Sequence, residues 1–530
     1  MKDFYDKLVN ILDEAVQKEY DVKLEAPLWE LPSKQEFGDL STMAAMKLAS
    51  STKQDPLAIA ERLKGILDKE LSGIVEKIEI LKPAFINIFF SRKIIFDSLS
   101  GVLNEKDKFF RRDFKRKVLI EFCSANPTGP ISIAHGRQAV VGDAIANILK
   151  FCGNGVEKEY YVNDEGNQID LLVESVAQRI KEIKGEPFAI PEGGYVGEYI
   201  KNTAQAYLNE GALDLREFTL AHMLNWIKKD LASAGIDYDN WQSQKKIMQE
   251  CKVAAAVELL RSKGLLYDKE EALWFSSTKF GDDKDRVIRK ENGDLTYFAY
   301  DIAYHRDKIV RGFDLLINLW GPDHHGYINR VKSAIEALGY SRDILHVIIM
   351  QLVTLKSKEK MSKRKGTAIL FSELREDVGK DAARYFYLTR RNSSILEFDI
   401  DLAKEASVNN PLFYAQYACA RIESIFQKAQ GQNFTGADIS KLDEAAEINL
   451  VRAILQFSFA VEKAYYTYEP VFIVEYLKVL AASFHKFYET TRVIVDDQEL
   501  TRARLNLIAA TKTVLHCALN LLGITPVQKM

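Results

Sequence analysis

Apolar residues recur at helical spacing from the start of the chain. Phe4, Leu8, Ile11, Leu12 and Ala15 share one face and predict an amphipathic helix within the first 20 residues. Glu36-Phe37-Gly38-Asp39 reads as a turn. Helical patterns follow at 43–48 and 57–66, then two strand-like runs at 75–81 and 84–90 with Lys82-Pro83 between them. This is a small α+β module of about 110 residues. A basic connector, 111–117, closes it; it reads first as a solvated linker, with contact to a polyanion as the sharper alternative.

From residue 118 the pattern changes. A short apolar strand at 118–122 runs into Cys123-Ser124-Ala125-Asn126-Pro127-Thr128-Gly129-Pro130, which cannot be helix. A helix is predicted over 131–151 and the next strand over 159–162, which together make a βαβ unit and the seed of a parallel sheet. The same grammar returns at 314–320, Gly321-Pro322, 330–338 and 345–352. The stretch from about 163 to 290 is therefore read as an insertion, helical by composition. From 399 onward the alternation stops, and 415–426, 450–465, 471–488 and 502–522 read as the amphipathic helices of a bundle. The expected fold is a multidomain α/β protein. Its parts are an N-terminal α+β domain (1–112), a Rossmann-like parallel-sheet domain with helical insertions (113–398) and a C-terminal all-α bundle (399–530).

The 530 residues carry 47% hydrophobic and 28% charged positions, close to the globular average, which excludes wholesale disorder. Lys plus Arg is 72 against 75 Asp plus Glu, a formal net charge of −3, which excludes a nucleic-acid coat protein but leaves room for a local basic strip. The five scattered cysteines form no CxxC pair and read as reduced thiols. No window approaches the ~18 apolar residues of a membrane span, and the first 20 residues fit no signal or transit peptide. A cytoplasmic protein without membrane contact or protein-held metal is expected.

Two segments carry candidate chemistry. The Pro/Gly-rich bend after strand 118–122 brings backbone close to a ligand, and the helix opening at His135-Gly136-Arg137 aims free N–H groups at an anion. Ligands of open α/β sheets sit at such strand ends. The second segment runs from Lys356 to Gly366, and six of its first ten residues are basic. It fits a solvated loop or a mobile loop that neutralises phosphates. No G-x-x-x-x-G-K-[ST] sequence occurs, nor a G-x-G-x-x-G after a strand, which excludes P-loop chemistry and disfavours a dehydrogenase.

Pro-Thr-Gly-Pro-x-x-x-x-His-Gly-Arg at 127–137, followed by Lys360-Met361-Ser362-Lys363, resembles the two signatures of class I aminoacyl-tRNA synthetases. The neighbouring text resembles arginyl-tRNA synthetase in particular. The matching stretches are 121–130, 161–169, 297–305 and 320–327, then 410–418, 485–488 and 521–524 in the helical tail. Phe37-Gly38-Asp39 is similar to that family's N-terminal tRNA-contacting domain. The resemblance covers essentially the whole chain.

It implies ATP-dependent ligation of L-arginine to its tRNA through an arginyl-adenylate, with exchange chemistry that needs bound tRNA and Mg2+ arriving with ATP. His135 would contact the triphosphate or ribose; Lys360 and Lys363 would stabilise pyrophosphate, with Ser362 ordering their loop. Pro127, Thr128, Gly129, Pro130, Ser132, Ala134, Gly136 and Met361 complete the implied ATP site, and Gly321 and Asp323 match its ribose side. Tyr297 and Asp301, four apart on one helix face, match the guanidinium-binding pair; taken alone they also fit an exposed helix pair. Ser124 and Asn126 would hold the α-amino and carboxylate groups, and Glu121 matches a further acidic position. For tRNA the resemblance points to Phe37 and Asp39, and to Tyr414, Tyr417 and Arg421 on one stripe of the bundle, whose tyrosines fit core packing as well. A monomer is the family's default.

Three positions depart from the family pattern. Ser132 stands where the first histidine of His-x-x-His is usual, with Ala134 in place of a glycine. Gln244 falls where an acidic residue would face the guanidinium. Met43 stands where an asparagine is common.

Overall fold

The computed structural model describes residues 2–32, 34–356, 369–429 and 436–530. The chain divides into two compact units. The first contains residues 1–114, 147–153 and 401–530, and the second 115–146 and 154–400.

In the second unit a five-stranded parallel sheet runs in the order Leu345–Ile349, Leu315–Trp320, Lys117–Glu121, Gly155–Val162, Asn240–Ser243. Ile317 pairs with Ile120, and Glu121 with Glu159. Val118, Leu119, Ile120, Leu316 and Ile317 are fully buried, as strands covered on both faces must be. This is why these segments read as unbroken apolar runs. The order steps outward on both sides from Lys117–Glu121, so the segment after that strand sits where the winding reverses. The crossover helix Ile133–Phe151 packs closely on the sheet at Gly142, where a Cβ would lie 2.2 Å from the Phe122 ring.

The stretch 163–290 is not simply helical. It supplies the fifth strand of the parallel sheet, Asn240–Ser243, and a three-stranded antiparallel sheet of Leu266–Lys269, Ala272–Phe275 and Arg286–Arg289. Asn-Trp-Gln-Ser is too polar and short to announce a strand; it pairs because it lies at the sheet's edge, against Glu159–Val162.

In the first unit the runs 75–81 and 84–90 form the antiparallel pair Val75–Leu81 and Phe85–Phe90. A third strand, Leu40–Thr42, follows the turn expected at 36–39 and pairs with Phe85–Phe90. Gly38 enters that strand at φ +118°, and a Cβ there would meet the Ile88 carbonyl oxygen at 2.8 Å, so only glycine fits. The bundle helices are Pro411–Lys428, Ala445–Leu455, Phe457–Thr467, Val471–Thr490 and Gln498–Leu521. The single helix expected over 450–465 is interrupted at Gln456, where a tighter bond from Phe459 N to Gln456 O replaces the regular ladder. Asn410 caps the first helix, accepting from Leu412 and Phe413 N–H. Among the described residues no helix is long and apolar enough to cross a membrane. All five cysteines are free.

Candidate active site

Strand Lys117–Glu121 ends in a backbone knot. Cys123 (φ 69°) and Ser124 (φ 33°) both take left-handed conformations, which reverses the chain at the sheet's carboxyl edge. Burial pushes the Cys123 thiol up to about 12, so it remains an inert, protonated packing group. The turn aims Ser124 back at the sheet. Its Oγ donates to Glu121 Oε1 at 3.1 Å and accepts from Tyr161 N–H at 3.1 Å.

Glu121 is the first member of a buried polar chain. Lys308, fully buried, donates to Glu121 Oε2 at 2.5 Å and to Asn318 Oδ1 at 3.1 Å. Asn318 Nδ2 lies 3.1 Å from His305 Nε2, and His305 Nδ1 lies 2.8 Å from the Asp301 carbonyl oxygen. The carbonyl can only accept, so Nδ1 carries the proton and Nε2 accepts from Asn318. Burial, together with the Lys308 charge, lowers His305 to about 3, which holds that neutral tautomer. Lys308 thus meets Glu121 and Asn318 inside the fold, and every partner in the chain has a hydrogen bond.

Asp301 stands on helix Tyr297–Val310, half-buried. Its carboxylate accepts from the Tyr327 hydroxyl, a neutral donor, and no cation among the described residues lies within ion-pair distance of it. Burial raises its pKa to about 6, with the Glu121 charge adding in the same direction. Asp301, Glu121 and Asp164 all act electrostatically on the Tyr161 hydroxyl, which they and burial hold far above its ordinary value. That hydroxyl donates to Gln244 Oε1 at 3.2 Å, and Gln244 is buried. Asp164 is tied to the start of helix Gln244–Gln249 by the Ser243 hydroxyl at 2.5 Å and Lys245 N–H at 3.0 Å. Tyr297 is 64% exposed, with its hydroxyl over Gly166, and so forms an outer rim. Glu121, Ser124, Gln244 and Asp301 therefore converge around Tyr161. Asn126, exposed, stands to the side, where its amide donates to Gln168 Oε1 at 2.6 Å.

The anion side lies where helix Ile133–Phe151 begins. Ser132 caps it loosely: its Oγ accepts from His135 N–H at 3.5 Å and lies 3.2 Å from His135 Nδ1. Nδ1 also accepts from Ser132 N–H at 3.4 Å, which places the imidazole proton on Nε2 as a free-facing donor. Burial lowers the His135 pKa, so this donor is neutral at pH 7. Ser132, where a histidine is usual, thus orients the remaining histidine. Gly136 lets Phe371 pack against the helix, since a Cβ would meet that ring at 2.3 Å. Arg137, fully buried, donates to the carbonyls of Gln351, Ser394 and Arg391 at 2.8–2.9 Å and pins the helix start. Gly321 and Asp323 open the short helical turn after strand Leu315–Trp320; a Cβ on Gly321 would collide with Asp323 Oδ1. Lys360, Met361, Ser362 and Lys363 lie outside the described residues. The chain beyond them re-enters beside Ser132, with Ile133 N–H donating to the Ile369 carbonyl at 3.1 Å and Phe371 N–H to that of Ile131 at 2.9 Å.

In the other unit, Tyr414 and Tyr417 gather around His485 at ring distances of 4.2 and 5.7 Å. Arg421 lies over Tyr417 (4.2 Å) and Tyr488 (4.6 Å), and its NH1 is 3.1 Å from His485 Nδ1. The three residues named from sequence share one half-buried aromatic–cationic cluster, which His485 and Tyr488 complete. Phe37 is half-buried beside Lys34. Asp39 is buried: it accepts from Phe90 N–H at 2.7 Å and pairs with Arg452 at 3.1 Å, so its carboxylate is committed within the fold.

Sequence reasoning missed Lys308, His305, Asn318, Tyr161, Tyr327 and Arg137 as parts of the site. The only available signal was that Tyr161, His305, Tyr327 and Arg137 fall inside stretches already singled out.

Three family models match the chain. Residues 6–90 match the arginyl tRNA synthetase N terminal domain, 98–426 the tRNA synthetases class I (R) catalytic domain, and 415–530 the DALR anticodon binding domain. Among curated relatives, an arginine–tRNA ligase of Carboxydothermus hydrogenoformans is 41% identical over 523 residues, 94% of each chain. One of Listeria monocytogenes is 42% identical over 524 residues, 95% of this chain and 94% of its own. Among solved structures, Thermus thermophilus arginyl-tRNA synthetase superposes with a TM-score of 0.80 at 21% identity, over 99% of this chain and all of that one, a likeness of fold.

Proposed function

The chain belongs to the arginyl-tRNA synthetases, and from that membership we propose how its residues divide the reaction. It is an arginine–tRNA ligase: it joins L-arginine to its tRNA through an arginyl-adenylate, converting ATP to AMP and pyrophosphate. Such chemistry asks for little proton transfer. It asks for a carboxylate held against an α-phosphate and for charge stabilised as pyrophosphate leaves.

The observation that carries the arginine assignment is the gathering of three carboxylates, Glu121, Asp164 and Asp301, around the Tyr161 hydroxyl at the sheet's carboxyl edge. Glu121 already has its cation in Lys308. Asp301 has none among the described residues and is the group that receives the guanidinium, with Tyr297 covering it from the rim and Gln244 presenting a neutral amide. Ser124 and Asn126 hold the α-amino and carboxylate end. On the ATP side, residues 127–130 and the opening of helix Ile133–Phe151 take the phosphates. Ser132, Ala134 and Gly136 shape that opening, and His135 Nε2–H donates to a phosphate oxygen. Gly321 and Asp323 hold the ribose. Lys360 and Lys363, with Met361 and Ser362, neutralise pyrophosphate. Mg2+ enters bound to ATP and spreads the phosphate charge. Tyr414, Tyr417 and Arg421 stack and neutralise anticodon nucleotides, and the face carrying Phe37 and the Asp39-locked turn meets the tRNA body. In this reading the domains are 1–112, 113–398 and 399–530, and the enzyme is a cytoplasmic monomer without membrane contact.

The deciding experiment is arginine-dependent ATP–pyrophosphate exchange, with and without arginine-specific tRNA. Exchange only with tRNA, suppressed in Asp301→Asn and Lys360→Ala, supports these assignments. Full exchange in Asp301→Asn at unchanged arginine KM overturns the guanidinium site.

A further inference from the structure

Helices Asn167–Lys184, Glu198–Glu210 and Leu215–Ser233 close a small core of their own through Leu172, Val176, Ile200, Ala204 and Met223. This cluster reaches the loop after strand Lys117–Glu121 at two points. One is the Asn126–Gln168 amide contact at 2.6 Å. The other is the Tyr199 hydroxyl, which donates to the Thr128 carbonyl oxygen at 3.0 Å. The Tyr199 ring also fills the space beneath Gly129, where a Cβ would lie 3.0–3.1 Å from ring atoms and the hydroxyl.

The tyrosine is held by the cluster and not by the sheet. Gly197 makes room for its ring, since a Cβ there would lie 2.5 Å from it, and Trp226 meets it edge-on at 6.2 Å. The segment leading to it is stitched to helix Asn167–Lys184. Ala189 N–H donates to Gln178 Oε1 at 3.1 Å, Tyr195 N–H to Ser175 Oγ at 2.9 Å, and Arg179 NH2 to the Val196 carbonyl at 3.2 Å. Burial pushes the Tyr199 hydroxyl up to about 12, so it remains a proton donor throughout the working range.

We infer that Tyr199 is a positioning residue for adenylate formation: it ties the three-helix cluster to the loop 127–130, so that the cluster sets where the loop stands against the phosphates. The inference rests on the assignment of that loop to ATP. Tyr199 touches no substrate; it acts through Thr128 and Gly129.

Tyr199→Phe keeps the ring and removes the bond to Thr128. In exchange assays at saturating arginine and tRNA, the ATP KM rises about five- to tenfold, the yield of one lost hydrogen bond. Arginine KM and the Kd for tRNA stay within about twofold, and so does the maximal rate. An unchanged ATP KM in Tyr199→Phe overturns the inference. So does a proportional loss of every parameter together with a lowered Tm, the mark of a merely structural tyrosine. His135→Ala, measured in parallel, separates the two layers. If it leaves ATP use intact, the ATP assignment of this edge fails; if it impairs ATP use while Tyr199→Phe does not, only the coupling fails.

Discussion

Asp301 concentrates the electrostatics of the candidate pocket. Its carboxyl is raised to about 6 by burial, and in the proposed assignment a bound guanidinium would supply the charge that stabilises the ionised form. Below that pKa the carboxyl is neutral and the attraction is lost. Arginine affinity therefore falls about tenfold per unit as pH drops below 6 and is flat above 7, read by calorimetric titration from pH 5 to 8. Asp301→Asn binds weakly and flattens the profile. Lys308 gives the complementary prediction. Replacing it by Met leaves Glu121 buried without its cation, at a cost of about 3–5 kcal/mol in urea unfolding. Glu121→Gln in the same chain recovers most of that stability, because the uncompensated charge is gone. Glu121 was legible as a candidate only through the family resemblance, in which it matches an acidic position. Lys308 was not: it is one lysine on an amphipathic helix, and its partner lies 187 positions away.

At the scale of the element, the strands and the crossover helix were legible because burial on two faces demands continuous apolar runs and a tight turn demands Gly and Pro. Helix Ile133–Phe151 was expected within two residues of its observed start, and its contact with the sheet turns on Gly142. Gly142→Val drives a side chain into the Phe122 ring, which lies 2.2 Å from where a Cβ would stand. The expected loss is about 1–3 kcal/mol, a Tm lowered by several degrees, and no direct change to groups that meet substrate. Strand Asn240–Ser243 escaped notice because its stability comes from the neighbour it pairs with and not from its own residues. The stretch Leu40–Thr42 escaped for the same reason; it reads as polar yet is wholly buried against Phe85–Phe90.

At the scale of the whole molecule, the ends of the chain meet. The N-terminal 114 residues and the C-terminal helices belong to one unit, joined by Asp39–Arg452, Glu30–Lys463 and Arg92–Asp443 ion pairs. Asp39, named from sequence as a tRNA contact, is buried and paired with Arg452. Arg421 is placed differently, half-exposed over two tyrosines. Arg421→Glu raises the KM for tRNA by about tenfold or more and steepens its salt sensitivity no further, while KM for arginine and ATP holds. Steady-state charging at two ionic strengths reads both.

The sequence by itself determined the class of fold and, through its resemblance to a family, the reaction; for the sheet's carboxyl edge it named candidates. Local rules act there: periodicity names helices, apolar runs name buried strands, and motif residues must stand in the order the chemistry uses them. Only the tertiary structure decided which charges are free and which are spent. It paired Glu121 with Lys308 and left Asp301 to a tyrosine hydroxyl; it buried Asp39 under Arg452 and set Tyr199 beneath Gly129. Those outcomes depend on desolvation and on contacts between residues tens to hundreds of positions apart, which no local pattern records.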